Sequence, residues 1–220
     1  MSMPADWENI DTVFLDMDGT LFDLNFDTYF WHQYLPLRYS QKNKIEFSHA
    51  KELLQGYYKG KAGTLDWYCM DYWTKELGLD LSALTREIAG RIRLFPNVER
   101  FLEKLTEAGK HTALVTNAHP DSIAVKMDSI RIESYFNRIV SSHDLGYPKE
   151  QQDFWHKMMH MLPYNPGRTL FIDDNLDVLA AAKAYGIRYL LTIQQPDSSK
   201  PKRGPMPYET ISDFAQIMPA

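Results

Sequence analysis

Cysteine is almost absent from this 220-residue sequence: Cys69 is the only one. One thiol excludes an intramolecular disulfide and fits a reducing compartment. Long apolar runs are missing too, and no segment approaches the roughly 20 residues that span a bilayer. The N-terminus carries Asp6, Trp7 and Glu8 where a secretory leader needs basic and then apolar residues. A cytoplasmic location with no membrane partner is the expectation. Basic residues are in deficit, 24 Lys and Arg against 29 Asp and Glu, for a net charge of −5. A protein held on backbone phosphates needs the opposite balance, so no nucleic acid polymer is expected as a partner. The one basic cluster, Lys200-Pro201-Lys202-Arg203, lies in a Pro-rich stretch and reads as a solvated surface turn.

Short apolar runs are plentiful. Thr12–Leu15, His111–Val115, Arg138–Ser141, Thr169–Ile172 and Tyr189–Ile193 read as buried parallel strands, with helical patterns between them. That alternation predicts an α/β fold, a doubly wound parallel sheet. The segment Pro96–Ala108 has Asn97 as a candidate cap, an apolar face of Phe101, Leu102 and Leu105, and Gly109 as its stop. Asn175–Tyr185 reads the same way and ends at Gly186. Gln194–Tyr208 reads as a loop, followed by a short amphipathic tail helix over Ile211–Met218.

Between the first two strands the connection runs roughly seventy residues before Pro96, far beyond the usual crossover. It has no strand pattern and is dense in aromatics, among them Tyr29, Trp31, Tyr58, Trp67, Tyr68 and Trp73. We read residues 24–94 as a small helical cap domain inserted after the first strand, with residues 1–23 and 95–220 as the core domain. Such a cap sits over the carboxyl ends of the strands, where open α/β sheets bind ligands. Most of its aromatics fill the cap's own core; a few facing the cleft suit a flat, stackable substrate.

Asp16 and Asp18 stand one residue apart at the end of Val13-Phe14-Leu15. Buried carboxylates without a cation are too costly to keep, and Mg²⁺ is the cation that hard oxygen ligands prefer. One acid can then serve as nucleophile and the other as proton donor and acceptor. Asp173 and Asp174, after Phe171-Ile172, repeat the same problem at another strand end. Thr116 and Asn117 follow a third strand and suit phosphate oxygens. Lys149, in Gly146-Tyr147-Pro148-Lys149-Glu150, can balance this much negative charge and bind phosphate.

Asp16-Met17-Asp18-Gly19-Thr20, Thr116-Asn117, Lys149 and Asp173-Asp174 resemble, in order, the four motifs of the haloacid dehalogenase superfamily. The resemblance covers essentially the whole chain, helical cap included. It implies Mg²⁺-dependent hydrolysis of a small phosphate monoester through an aspartyl phosphate on Asp16. Asp18 then acts as general acid and base and offers its backbone carbonyl to the metal. By the same resemblance Thr116, Asn117 and Lys149 hold the phosphoryl group and Asp174 ligates the metal, with Asp173 beside it directly or through water. Phe26–Trp31, Trp67–Trp73, Thr116–Pro120 and Gly146–Glu150 further resemble a branch of that superfamily acting on purine nucleoside 5′-monophosphates, IMP and GMP.

Other readings stay open at this stage. A sugar-phosphate phosphatase or phosphomutase would line its cap with cations, and Arg91 and Arg93 keep that open. A non-catalytic phosphate-binding regulator could retain the fold, although no motif acid is missing. His119 serves either as a turn residue beside Pro120 or as a substrate contact. His156 and His160 have zinc-ligand spacing, but Lys157 stands where a His-Glu-x-x-His site has its glutamate, and the methionines around them favour an ordinary half-buried helix. Cys69, with no activating base in its sequence surroundings, reads as packing.

Overall fold

The alternation along Thr12–Leu15 decides the layering. Val13 and Leu15 are fully buried in one apolar cluster and Phe14 in another. This strand (β1) is thus covered on both faces, which is where parallel strands belong. The structure, a computed structural model, describes residues 6–219, so the expected core boundaries at residues 1 and 220 lie outside it. Its other strands are His111–Thr116 (β2), Arg138–Ser141 (β3), Thr169–Ile172 (β4), Tyr189–Ile193 (β5) and Glu209–Ile211 (β6). They form one parallel sheet in the order β3-β2-β1-β4-β5-β6. Chain order reverses on either side of β1, the arrangement that opens a crevice at the carboxyl edge.

Six short helices follow β1 and belong to the inserted segment. They are Asn25–Tyr29 (α1), Leu35–Asn43 (α2), Phe47–Lys59 (α3), Leu65–Tyr68 (α4) and Met70–Leu77 (α5), with Leu81–Glu87 (α6) closing the set. The core helices are Val98–Glu107 (α7), Pro120–Ser129 (α8), Ser142–Leu145 (α9), Gln152–Met161 (α10) and Leu176–Tyr185 (α11). Residues of α7 and α8 pack on one sheet face and those of α10 and α11 on the other, which makes the sheet doubly wound. No helix among the described residues is long and apolar enough to cross a membrane.

The inserted helices have a core of their own. Phe30, Leu35, Leu54, Tyr58, Met70, Trp73, Leu77, Leu81 and Leu84 are buried together. Trp73 is its hub: Trp31, Tyr58, Trp67 and Tyr72 meet it edge to face at 5.1–6.4 Å, and its indole donates to the Trp67 carbonyl at 2.9 Å. A π-helical turn, Phe30–Tyr34, joins α1 to α2 and carries Trp31 and His32. Such turns are often found at functional sites. Where the insertion leaves and rejoins the core, its two connectors run side by side. Asp23 N–H donates to the Arg93 carbonyl and Phe95 N–H to the Leu21 carbonyl, both at 2.9 Å.

Two local expectations are corrected. Asn97 does not cap α7 with its side chain. It adopts a left-handed φ of 64°, and its amide donates to the Asp213 carboxylate at 2.8 Å instead. The tail is no amphipathic helix either. Ile211 pairs with Ile193 as part of β6, and Asp213 then caps a single 3₁₀ turn, Phe214–Ile217, that buries Phe214 and Ile217. Apolar residues three apart on so short a stretch fit one turn as well as a helix.

Candidate active site

Asp16, Asp18, Thr116, Asn117, Lys149, Asp173 and Asp174 all line one cavity of about 460 Å³ at the carboxyl edge of the sheet. Six of them come from the ends of β1, β2 and β4, which the parallel register brings together, and Lys149 comes from the loop between α9 and α10. Leu15 pairs with both Leu114 and Ile172, so Asp16 emerges between Val115 and Asp173, with Thr116 one residue further along β2.

Lys149 is the electrostatic centre. Only 2 % exposed, it donates to Asp16 Oδ1 at 2.5 Å, Asp173 Oδ2 at 2.7 Å and the Val115 carbonyl at 3.0 Å. Burial lowers its pKa, but the charges of Asp16 and Asp173 outweigh that and raise it above the ordinary lysine value. Its backbone is fixed as well: Lys149 N–H donates to Asn117 Oδ1, and the Trp155 indole donates to the Lys149 carbonyl. The Asn117 amide continues the chain of contacts to Glu150 Oε2 at 2.9 Å. Tyr68 of α4 reaches the same glutamate, donating to Oε1 at 2.8 Å across the cleft.

One ammonium does not neutralise the acids around it. Burial pushes Asp16 up to about 7, against Lys149 and with the charges of Asp173 and Asp18 adding to it. Asp174 is likewise pushed up to about 7 and Asp173 to about 6 by burial. Carboxylate oxygens of Asp16, Asp173 and Asp174 lie within 4.8 Å of one another. An all-oxygen set with surplus negative charge fits a hard divalent cation such as Mg²⁺.

The two adjacent acids are not equivalent. Both oxygens of Asp173 are engaged, Oδ2 by Lys149 and Oδ1 by the Asn175 N–H at 2.8 Å. Asp174 has one weak partner, Arg203 at 3.3 Å, and packs against Gly19. A Cβ on Gly19 would meet Asp174 Cγ at 2.8 Å, and Gly19 has φ +81°. Glycine is required there on both counts.

Asp18 points away from this set. Its carboxylate accepts from Lys126, whose ammonium is also 2.8 Å from Asp27 Oδ2. Asp18 lines a second cavity of about 350 Å³, walled by Trp31, Tyr58, Trp67, Tyr68 and Trp73 with His32 and Lys200 at its polar positions. Leu24, Tyr68 and Ala118 line both cavities.

Several residues of the site escaped the sequence reading. Lys126 carries no motif, and Asp27, though within Phe26–Trp31, was given no role; the available signal was a lysine between Val125 and Met127, both buried. Lys200 is exposed, as expected, and also lines the aromatic cavity, whereas Arg203 is only partly exposed and its NH1 donates to the Asp174 carbonyl at 2.6 Å. His119 lines neither cavity; its ring caps α8 by accepting from the Asp121 N–H. His156 packs on Tyr185 at 5.1 Å, and the metal-type groups among the described residues do not include it or His160. Arg91 stacks on Tyr29 and Arg93 bonds its own turn, and neither lines the two cavities.

Comparison with known proteins agrees with this geometry. The pattern of the haloacid dehalogenase-like hydrolases matches residues 10–186. The chain is 40 % identical over 214 residues to the GMP/IMP nucleotidase YrfG of Escherichia coli (strain K12), covering 97 % of this chain and 96 % of that one. A probable phosphoglycolate phosphatase of Pseudomonas putida is 25 % identical over 126 residues, 57 % of this chain and 50 % of that one. Among solved structures, a HAD phosphatase from Thermococcus onnurineus superposes with a TM-score of 0.78 at 20 % identity, covering 94 % of this chain and 96 % of that one. This chain therefore belongs to the haloacid dehalogenase-like hydrolases, as one of their phosphatases.

Proposed function

We propose that this phosphatase hydrolyses purine nucleoside 5′-monophosphates, IMP and GMP first among them, in a Mg²⁺-dependent reaction through an aspartyl phosphate on Asp16. The observation that carries the reading is the junction of two cavities at Asp18, one acidic and lysine-bearing, the other aromatic. A nucleotide has the matching shape: a phosphate, then an ester oxygen at the junction, then a flat base. The likeness to a GMP/IMP nucleotidase along nearly the whole chain supports the choice of base.

In this mechanism residues 24–94 act as the cap that encloses the base, over a core of 1–23 and 95–220. Asp16 holds one oxygen on Lys149 and attacks phosphorus in line with the other, so the bond from phosphorus to the 5′-oxygen breaks. Asp18, at the junction, gives its proton to the departing oxygen. It then takes a proton from the water that attacks the aspartyl phosphate and releases phosphate. Thr116 Oγ1 already accepts from the Ala118 N–H at 3.0 Å, which leaves its own proton for a phosphate oxygen. The Asn117 carboxamide is committed to Lys149 and Glu150, so its main-chain amide is the group offered to phosphate. Lys149 offsets charge on the transferring group. Asp16, Asp174 and the Asp18 carbonyl would hold Mg²⁺, which supplies charge neutralisation at the phosphoryl oxygens; Asp173 holds Lys149 rather than the metal.

The test is phosphate release from IMP, GMP, AMP, glucose 6-phosphate and β-glucose 1-phosphate, with and without Mg²⁺. Metal-dependent turnover led by IMP and GMP is expected. Release led by the sugar phosphates overturns the assignment of the aromatic cavity to a base, and metal-independent release overturns the role of Mg²⁺.

A further inference from the structure

A second group of metal-type ligands lies where the inserted helices meet the core, and it lines neither cavity. Cys69 stands at the start of α5, His119 at the start of α8 after β2, and His143 in α9 after β3. One ligand atom from each lies within 4.8 Å of the others, and the two imidazoles meet edge to face at 5.0 Å. All three side chains are half-buried.

The donor atoms are disposed to bind. His143 Nε2 is shielded from solvent and has no hydrogen-bond partner. A buried polar atom without a partner is uncommon and asks for one. Burial, with His119 alongside, lowers the His143 pKa, so the ring is neutral and that lone pair is open. Cys69 Sγ takes only a 3.4 Å contact from the Tyr72 N–H. His119 Nε2 faces the Asp71 carboxylate at 3.7 Å, which brings a fourth ligand to the edge of the group. Coordination at Nε2 places the ring proton on Nδ1 and gives up the cap contact from the Asp121 N–H, a single long bond of 3.3 Å.

We propose that Cys69, His119 and His143, with Asp71 closing the fourth position, form a site for a Zn²⁺-class divalent ion that ties the inserted helices to the core. Ligands on tetrahedral Zn²⁺ stand about 3.4–3.6 Å apart, so the present group needs only small side-chain rotations to close on an ion. Sulfur and imidazole donors select Zn²⁺ over Mg²⁺, which distinguishes this site from the all-oxygen set at Asp16 and Asp174. Binding deprotonates the Cys69 thiol and releases one proton to solvent. The ion's leverage comes from position. Cys69 directly follows Tyr68, which bonds Glu150 across the cleft, and His119 lies two residues beyond Asn117. An ion here holds both sides of the cleft mouth together and slows the opening that exchanges substrate and product.

The proposal does not depend on the identity of the substrate. Its test uses the full-length reduced protein in excess Mg²⁺, titrated with Zn²⁺ against a chromophoric chelator. One Zn²⁺ per chain is expected, bound at least tenfold more weakly by Cys69→Ser and by His143→Gln. With Co²⁺ as probe the wild type shows a thiolate-to-metal charge-transfer band that Cys69→Ser lacks and Asp16→Asn keeps. Circular dichroism and metal-free thermal melting verify that Cys69→Ser is folded. Equal Zn²⁺ binding by wild type and both variants, or a Co²⁺ complex without the thiolate band, overturns the site. Zn²⁺ is further expected to slow turnover of the wild type and not of Cys69→Ser. Unchanged turnover of the Zn²⁺-loaded wild type overturns the tie between the cap helices and the core.

Discussion

Lys126 Nζ, 1 % exposed, is 2.8 Å from Asp27 Oδ2 and also donates to Asp18. The lysine thus joins the residue proposed as general acid and base to the first helix of the cap. Burial pushes Asp27 up to about 7, with the charge of Asp18 adding to the effect and Lys126 opposing it. Lys126→Met leaves two partly buried carboxylates facing each other. We expect a loss of about 3 kcal/mol in urea denaturation at pH 8, since breaking a buried pair strands its partner's charge. Turnover is expected to fall at least tenfold as Asp18 loses the group that orients it. Lys126→Met/Asp27→Leu should regain most of the stability and none of the turnover. Recovery of both would show that Lys126 serves stability alone.

Asp16→Asn is expected to abolish phosphate release while the melting temperature holds or rises, because a carboxamide is a poor nucleophile and carries no buried charge. Asp18→Asn separates the two half-reactions. It should accumulate a phosphorylated chain by intact mass spectrometry after mixing with substrate, since the second step then lacks its base. A variant Asp16→Asn that keeps wild-type turnover rules out the covalent route.

Gly19 and Asp174 offer a structural handle on the metal. A methyl group at Gly19 meets the Asp174 carboxylate carbon at 2.8 Å and must also take φ +81°. A non-glycine residue in that region costs about 1–2 kcal/mol on its own. Gly19→Ala is therefore expected to lower stability by that order and to push Asp174 out of place. The Mg²⁺ concentration giving half-maximal turnover should rise about tenfold, with much of the maximal rate retained. A loss of rate at unchanged Mg²⁺ dependence would separate Asp174 from the metal.

These tests also mark where the sequence was readable and where it was not. All five strands inferred from apolar runs are present because buried parallel strands leave an unbroken hydrophobic signature, as in Thr12–Leu15 and Thr169–Ile172. The seven motif residues share one cavity; six stand at or just after the ends of β1, β2 and β4, and Lys149 enters from the loop after α9. β6 escaped notice since only Ile211 of its three residues is buried, which leaves no pattern to read. Lys126 and Arg203 were missed for a different reason. Their partners, Asp18 and Asp174, lie 108 and 29 residues away, and no local spacing records such a meeting.

Stability should depend on pH and Mg²⁺ together. Asp16 and Asp174 ionise near 7 in the fold against an ordinary 3.8, so between those values the native state holds protons the unfolded chain has lost. Stability then falls as pH rises from about 4 to 7, since the slope follows protons bound unfolded minus native. Mg²⁺ binds the deprotonated carboxylates and offsets their repulsion. The melting temperature without metal is expected to drop between pH 5 and pH 8, and the rise on adding Mg²⁺ to be small at pH 5 and large at pH 8. An equal Mg²⁺ effect at both values would mean these carboxylates do not hold the ion.

Lys200 tests the assignment of the aromatic cavity to the base. Its side chain is 57 % exposed and 3.1 Å from Asp197, yet it lines the cavity alongside His32. Asp197 keeps other partners without it: hydrogen bonds from Ser199 and Thr28, with a smaller one from Lys200, outweigh burial and hold its pKa low. Removing the ammonium therefore leaves the fold intact and takes one polar group from the cavity wall. Lys200→Ala is expected to raise KM for IMP and GMP about tenfold at little change in kcat, and to leave KM for p-nitrophenyl phosphate unaltered, since that ester has no purine to lose contact with. The split matters because a group touching only the base weakens ground state and transition state alike. An equal rise in KM for all three esters would instead place Lys200 at the phosphate and assign the aromatic walls to something other than a purine.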